Sequence, residues 1–297
     1  MPDLPTVGTR VSLRYRLPAG SVPPLTDVVG HLLDVAPTIR VRTKRGDVVD
    51  VSPDDVVAVR AVGDAPVRTG DIRNLEHAAA LAWPGVEHQW LGGWLLRFGR
   101  GSTRRANSAV PLNVSVDMDT RPIVEWYAAR GATPLLAAPD RLFMVPPGAA
   151  VDGENIVMTT ELTTHSSPPA TTATIAPTPD DAWLTLYQRD VPVDVLTAVV
   201  DGEVAFATVA GAAVGRAAVT SAPDGTRWVG LSAVHVAPEA RRRGLARALC
   251  AELLTWAARR HATRAYVQVL PDNTAAIRLY ETMGFSAHHR SRYVSLG

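Results

Sequence analysis

Cysteine and lysine are almost missing from this sequence. Cys250 is the single cysteine and Lys44 the single lysine among 297 residues. One cysteine excludes a disulfide framework and every multi-cysteine metal centre, and we predict no metal site. A lone lysine leaves the rest of the chain without a residue for Schiff-base chemistry or for a Walker-type phosphate loop. Pyridoxal phosphate enzymes and P-loop nucleotide hydrolases are therefore not expected.

Long apolar runs and a charge excess are also missing. The first ten residues, MPDLPTVGTR, lack the apolar core of a signal peptide. No run reaches the length of about 18 apolar residues that a bilayer span requires. The net charge is only +1, so the molecule as a whole has no polycationic character that would draw it to nucleic acid or anionic lipid. We expect a cytoplasmic protein without a membrane partner.

The N-terminal residues, 1–64, consist of short runs in which apolar and polar residues alternate. These runs are VSLRYRL, VVGHLLDV, TIRVRT, DVVDV and VVAVRAV, and stretches such as PAGSVPP separate them. A period of two with such interruptions is typical of a small antiparallel β unit. We predict a five-stranded barrel of the Src-homology-3-like type.

The pattern changes after this unit. Apolar residues from Ile72 to Trp83 are spaced as one helical face, which predicts that a helix begins a lobe at 65–165. A strand is predicted from Asn107 to Val116. The segment 163–179 is rich in Thr and Pro and buries too little apolar surface to offset its ordering cost. Its centre, 166–175, is predicted to be an exposed linker.

The second lobe, 176–297, contains a strand, a glycine turn and a helix within LSAVHVAPEARRRGLA, residues 231–246. Such a turn directs backbone N–H groups outward at the positive end of the helix. Gly244 allows an anion to approach the backbone closely, and Arg241, Arg242 and Arg243 add positive charge. This arrangement predicts a cradle for a pyrophosphate.

A second segment, NTAAIRLYETMGF at 273–285, follows at the distance of one helix and one strand. Together the two segments resemble the GNAT superfamily of N-acetyltransferases. The motif of that superfamily has Arg or Gln, two residues, Gly, one residue, and then Gly or Ala, and Arg241, Gly244 and Ala246 match it. The resemblance implies an α+β protein with the GNAT fold, a mixed central sheet flanked by helices, that uses acetyl-CoA as co-substrate.

The resemblance also implies site residues. The expected cofactor contacts are Val234, His235, Val236, Arg241, Arg242, Arg243, Gly244, Leu245, Ala246, Asn273 and Ala276. The backbones of Val234 and Val236 would pair with the pantetheine arm. Tyr280 matches the tyrosine that in many members donates a proton to the departing thiolate. The alternative for Tyr280 is a packed aromatic on an amphipathic helix. His235 alternates away from the two valines, and we interpret it as structural.

The strand GLSAVHV carries no Asp or Glu, although many members have a general base there. An amine must lose a proton before or during attack on a thioester. Two routes stay open from the sequence, namely water relayed to Glu203 and a group from another lobe.

The middle segment is similar to the N-terminal half of certain two-lobed acetyltransferases. The matching residues are Trp94, Arg97, Thr103, Arg104, Asn107 and Ser108. This similarity implies a lobe that shapes the acceptor site, whereas the alternative makes Arg104 and Asn107 turn and strand-edge residues. A small barrel before a two-lobed transferase resembles a bacterial family of histone-type acetyltransferases.

The leading hypothesis is an N-acetyltransferase whose acceptor amine attacks the thioester directly. The acceptor is a protein lysine, a protein N-terminus or a small amine. The rival hypothesis is a non-catalytic acetyl-CoA sensor or scaffold. In the barrel, the residues Arg40, Arg42, Lys44 and Arg45 form a basic edge that suits an acidic peptide or nucleic acid, unless they are simply a solvated hairpin. The oligomeric state stays open.

Overall fold

The computed structural model describes residues 4–43, 46–62, 67–145, 147–162 and 173–296. They belong to two compact units, the first extending to residue 66 and the second starting at residue 67. No helix in these ranges is both long enough and apolar enough to cross a membrane.

The first unit is a five-stranded antiparallel sheet with its own core. Its strands are β1 (Arg10–Arg16), β2 (Leu25–Asp34), β3 (Ile39–Thr43), β4 (Val48–Val51) and β5 (Val56–Ala61). They follow the order β4-β3-β2-β1-β5. Alternate residues such as Val11 and Leu13 of β1 are fully buried and pack against Leu32 and Ile39. The predicted β unit of the barrel type is confirmed, because the period of two places one side of each strand in the core.

The basic edge predicted for this unit lies on the hairpin between β3 and β4. The N–H of Thr43 donates to the carbonyl of Asp47 over 2.8 Å, which closes the hairpin. Arg40 forms an exposed ion pair with Asp50, at 3.2 Å between Nε and Oδ1. Lys44 and Arg45 lie outside the described residues. A neighbouring carboxylate therefore offsets part of the positive charge on this edge.

The second unit alternates helices and strands along the chain. Its first part contains α1 (Thr69–Ala82), β6 (Glu87–Leu91), β7 (Trp94–Phe98), β8 (Val110–Pro111), α2 (Arg121–Ala128), β9 (Leu135–Pro139) and β10 (Val151–Glu161). Its later part contains β11 (Ala173–Ala176), α3 (Asp181–Tyr187), α4 (Val193–Thr197), β12 (Glu203–Val209), β13 (Ala213–Ser221), β14 (Arg227–Val236), α5 (Leu245–Ala258), β15 (Arg264–Val269), α6 (Thr274–Thr282) and β16 (Ser286–Ser295).

One eight-stranded sheet joins both parts of this unit. Its order is β11-β12-β13-β14-β15-β10-β16-β9, and β6, β7 and β8 form a separate small sheet. Strand β14 runs parallel to β15, whereas β10 lies between β15 and β16 and is antiparallel to both. The two predicted lobes therefore share a single mixed sheet, because a strand from the first part is inserted between two strands of the later part.

Helices cover both faces of this sheet, as the GNAT resemblance implies. On one face, Leu231 and Val267 pack against Leu249 and Leu253 of α5. On the other face, Trp228 and Tyr266 pack against Leu75 and Ala79 of α1, and Phe206 packs against Trp183 of α3. The predicted fold class is confirmed. Neighbouring residues of a strand point to opposite faces, so each strand contributes to both helical layers.

Two predicted segments differ from the structure. The strand predicted from Asn107 to Val116 is reduced to Val110–Pro111, because Pro111 cannot donate to a ladder and Asn107 uses its side chain in a loop. Residues 173–175 of the predicted linker belong to β11, where Ala173 lies opposite Val209 of β12. A ladder with β12 stabilises a segment whose composition is typical of a linker. Residues 166–172 lie outside the described ranges.

Candidate active site

The central feature of the site is an opening between β14 and β15. These parallel strands pair over only four positions, from Trp228 opposite Arg264 to Leu231 opposite Val267. Beyond Leu231, the next residues of β15 continue to pair with β10, whereas β14 bends away through a bulge at Ala233, which has a φ of +54°. Residues 228–231 are buried, and 232–236 are all partly exposed. We call this opening the fork.

The predicted pantetheine residues form the β14 side of the fork. Val234 and Val236 pack toward the core beneath α5, and His235 points to the other face of the sheet. Burial lowers the pKa of His235, and the positive charges of Arg241 and Arg189 act in the same direction. The imidazole is thus neutral at pH 7. The backbone edge of β14 that faces β15 has no strand partner at these residues.

The turn before α5 forms the predicted cradle. Gly244 is the N-cap of α5 with a φ of +77°, and Arg242 also has a positive φ of +58°. A Cβ at Gly244 would meet no atom within 4 Å, so the backbone conformation rather than crowding requires glycine there. The N–H groups of Arg243, Gly244, Leu245 and Ala246 have no backbone acceptor within the described chain. The turn therefore presents free donors, with open space beside them, at the positive end of a helix.

The arginines around the cradle have different roles. Arg241 donates from Nε to the carbonyl of Val236 over 3.2 Å and thereby joins the turn to the end of β14. Arg247 donates to the carbonyl and hydroxyl oxygens of Thr282, both at 3.1 Å, and joins α5 to α6. Arg242 and Arg243 are exposed and form no ion pair with any described carboxylate. Their charges are available to an anion in the cradle.

The second GNAT segment forms α6. Asn273 caps this helix, since its Oδ1 accepts the N–H of Ala276 over 3.1 Å. Tyr280 is only 6% exposed and packs against Phe285 with ring centroids 5.5 Å apart. Its side chain interacts with that of Cys250 of α5, and burial raises the pKa of the Cys250 thiol to about 12. Tyr280 thus has the packing of a core aromatic and a hydroxyl that faces α5.

Glu203, one of the two sources of a base considered from the sequence, lies far from the cradle. It forms an ion pair with Arg260, at 2.7 Å between Oε2 and Nε. Arg260 follows the C-terminus of α5, whose 14 residues span about 21 Å. The carboxylate of Glu203 is therefore already paired with a cation, at the end of α5 opposite to the cradle.

A buried carboxylate from the first part of the unit was not predicted. Glu76 of α1 is 5% exposed, and its Oε1 lies 2.8 Å from Nε2 of His289. Nδ1 of His289 is hydrogen-bonded to Nδ1 of His288 over 2.8 Å, at a bulge in β16. The signal in the sequence was the position of Glu76 four residues after Ile72, on the apolar face of the predicted helix. A charged residue on such a face needs a buried partner.

The residues matched to a two-lobed acetyltransferase organise the loop between β7 and β8. Oδ1 of Asn107 accepts the N–H groups of Gly99 and Gly101, and its Nδ2 donates to the carbonyl of Thr103. Trp94 donates from Nε1 to the carbonyl of Asp117. Arg104 forms an exposed ion pair with Asp152. The structure therefore places Asn107 in a buried turn and Arg104 at the surface, close to the alternative that made them turn and strand-edge residues.

A guanidinium cluster lies on the α1 face of the sheet and consists of Arg97, Arg105 and Arg216. Arg216 is fully buried and donates to the carbonyls of Leu196, Ala82 and Ala198. Its Cζ lies 4.2 Å from the ring centroid of Trp83, and Cζ of Arg105 lies 5.6 Å from the same ring. Arg97 donates to the carbonyl and hydroxyl of Ser108. Burial lowers the pKa of Arg216 to about 9, and the group remains a cation at pH 7.

The fold resembles that of solved acetyltransferases. A GCN5-related N-acetyltransferase from Kribbella flavida superimposes with a TM-score of 0.56 and 17% identity, covering 77% of this chain and 96% of the other. The mixed sheet flanked by helices and the free N–H groups at the start of α5 agree with what the GNAT resemblance implies. The fold is therefore that of the GCN5-related N-acetyltransferases.

The family follows from sequence comparison. Residues 69–294 match the family model described as the C-terminal part of probable histone acetyltransferase Rv0428c, and 5–60 match that of the Rv0428c N-terminal Sm-like domain. The chain is 53% identical over 296 residues to probable histone acetyltransferase Rv0428c of Mycobacterium tuberculosis, covering 99% of this chain and 97% of the relative. This chain belongs to the Rv0428c family of acetyltransferases.

Proposed function

We propose that this protein transfers an acetyl group from acetyl-CoA to an amine by direct attack of the amine on the thioester. The observation that supports this most is the fork, with free N–H groups of α5 beside an unpaired edge of β14. Amides from Arg242 to Ala246 bind the pyrophosphate, and the exposed guanidinium groups of Arg242 and Arg243 complement its charge. The backbones of Val234 and Val236 hydrogen-bond the pantetheine arm. Asn273 and Ala276 line its other side.

In the transfer step, the amine nitrogen forms a bond to the thioester carbon and the carbon–sulfur bond breaks. Tyr280 donates its hydroxyl proton to the departing thiolate and is later reprotonated from solvent. Burial raises the pKa of Tyr280 well above its ordinary value, so the hydroxyl is protonated at pH 7. This role requires the hydroxyl to turn from Cys250 toward the sulfur of the substrate. A protonated donor close to the sulfur is the requirement for general acid catalysis.

The proton lost by the amine needs an acceptor on the other side of the fork. Glu76 supports the second route left open by the sequence, a group from another part of the chain. Its partner His289 lies opposite Val157, which lies opposite Gln268 at the fork. Two strand spacings are about 10 Å, a distance that a short chain of water molecules can bridge. Water relayed to Glu76 and His289 is therefore the proposed path.

The cofactor site can be tested with Gly244→Glu. We expect the full-length variant to lose acetyl-CoA binding in calorimetry, because a carboxylate would occupy the cradle and a side chain is strained at a φ of +77°. Gly225→Glu is a matched control, since Gly225 has a φ of +82° in a turn with open space around it. Circular dichroism checks that both variants fold. Equal acetyl-CoA affinity in Gly244→Glu and the wild type would contradict the proposed cradle.

The rival function is a non-catalytic acetyl-CoA sensor or scaffold, which the missing carboxylate on β14 favours. Thiol release from acetyl-CoA, measured with a panel of small amines and lysine peptides, distinguishes the two functions. A protein that binds acetyl-CoA and releases no thiol with any acceptor would support the sensor.

A further inference from the structure

The α1 face of the sheet has positive charge without a matching negative charge. None of Arg97, Arg105 and Arg216 forms an ion pair with a carboxylate in the part of the chain that the structure describes. Glu76, the acidic residue buried on this face, is already paired with His289. A buried cation without a counter-charge is costly unless hydrogen bonds or a ligand compensate it.

Internal hydrogen bonds account for only part of the cluster. The backbone carbonyls at the C-terminal ends of α1 and α4 accept hydrogen bonds from Nε and Nη2 of Arg216. A cation is the expected partner of carbonyls at the C-terminus of a helix. Nη1 of Arg216 is buried and has no partner within the described residues. Arg105 is half-buried, its Nε is also buried without a partner, and its contact with Trp83 involves the face of the ring. Two guanidinium groups on one tryptophan thus retain free donors.

These free donors lie beside the fork. Arg216 of β13 is directly opposite Ser232 of β14, and residues paired in this way share a face of the sheet. Ser232 is the first residue of β14 beyond its pairing with β15, and Gln268 follows the last paired residue of β15. Oγ of Ser232 and Oε1 of Gln268 are also buried without partners in the described chain. Unpartnered polar atoms therefore surround the mouth of the fork on the face opposite α5.

We propose that the acetyl acceptor is a small amine with an anionic oxygen group of its own, a carboxylate or a phosphate ester, which binds to Arg105 and Nη1 of Arg216. Guanidinium groups bind such oxyanions through paired, charge-assisted hydrogen bonds. Ser232 and Gln268 are then left to hydrogen-bond the amine end. This inference rests on the proposed function, because the thioester must lie in the fork for the bound amine to reach it.

Calorimetric titration of the full chain saturated with CoA tests the inference. The probes are 4-aminobutanoate, 2-aminoethyl phosphate and butylamine, which is an amine without an anion, at matched ionic strength. Saturation with CoA keeps the probes out of the pyrophosphate cradle. We expect one anionic amine to bind at least about tenfold more tightly than butylamine, the scale of one charged hydrogen bond. The anion that binds identifies the carboxylate or the phosphate as the recognised group.

Arg105→Gln is the variant of choice because Arg105 forms no hydrogen bond within the described chain that its loss would break. The substitution should weaken the binding of the anionic amine about tenfold and leave the binding of butylamine unchanged. Arg100→Gln is the matched control, since Arg100 lies in the same loop but pairs with Asp194 at the surface. Anionic amines that bind no better than butylamine, or an equal effect of the two substitutions, would overturn the proposal.

Failure of the proposed function gives a different result. If acetyl-CoA does not bind, the same titrations without CoA still measure the preference for anionic amines and its dependence on Arg105. Loss of that preference in the presence of normal acetyl-CoA binding rejects only the anionic acceptor.

Discussion

The two sides of the fork are built in different ways. On the α5 side, Gly244 and its neighbours present backbone N–H groups, and the residues that form the cradle are adjacent in the chain. On the α1 side, the polar groups belong to side chains from distant segments, and Glu76 and His289 are 213 residues apart. A site made of backbone groups needs little more than the correct local conformation, whereas the side-chain site exists only when the whole sheet is assembled.

The largest expected effect comes from separating the two sides. A fragment of residues 173–297 contains both GNAT segments but lacks β10 and β9, which pair with β16 on its two edges. We expect this fragment not to unfold cooperatively and not to bind acetyl-CoA, because β16 loses every strand partner. A fragment of residues 67–297 is the control. Urea unfolding followed by circular dichroism compares them, and a cooperatively folded short fragment would show that the cradle side is autonomous.

Tyr280→Phe tests the chemistry of the α5 side. If Tyr280 is the general acid, turnover should fall about 10²-fold or more while acetyl-CoA affinity is retained. Cys250→Ala is the control, since it removes the thiol that interacts with Tyr280 and keeps the hydroxyl. Steady-state rates and calorimetry give both quantities. Unchanged turnover in Tyr280→Phe would assign this residue to the core.

We expect the protein to lose stability in acid because of His288 on the α1 side. Burial lowers the pKa of His288 from its ordinary 6.5 to about 4, and the titratable groups around it are His289, Asp71, Glu76 and Arg264. Below pH 6.5 the unfolded chain binds a proton that the folded protein excludes until about pH 4. The free energy of unfolding should therefore fall through this interval by about 1 to 3 kcal/mol.

His288→Gln isolates this contribution, because carboxylates elsewhere titrate equally in both proteins. Urea unfolding at several values between pH 7 and pH 4 should give a shallower decline in the variant. Parallel curves for the variant and the wild type would assign the acid sensitivity to other groups.

The smallest effect is expected from removal of the first unit. All residues named in the fork, the cradle and the guanidinium cluster belong to the second unit. A protein that starts at residue 65 should acetylate a small amine at the rate of the full chain. The test measures acetylation rates with small and with macromolecular acceptors for the full chain and for the truncated protein. Loss of small-amine turnover in a folded truncation would place the first unit in the catalytic mechanism.

The sequence predicted the elements around the cradle well. Strand β14, the glycine turn and the start of α5 lie within the segment 231–246 or adjoin it, as expected, and the rest of α5 and β15 are the helix and strand expected before the segment 273–285. Strand β10 was missed because its first five residues, VDGEN, are mostly polar and its neighbours come from distant segments. Helix α3 was missed despite Asp180, whose Oδ1 accepts the N–H of Trp183 as an N-cap.

The sequence by itself determined the turn at Gly244, because a positive φ and a helix N-terminus depend on residues that follow one another in the chain. Only the tertiary structure decided the other side of the fork. The chain order does not reveal that Arg216 meets the carbonyl of Ala82, 134 residues away, or that Glu76 meets His289. Hydrogen bonds of side chains to groups far away in the sequence form only after the sheet has brought the strands and helices together, and the residue types alone do not specify the partner.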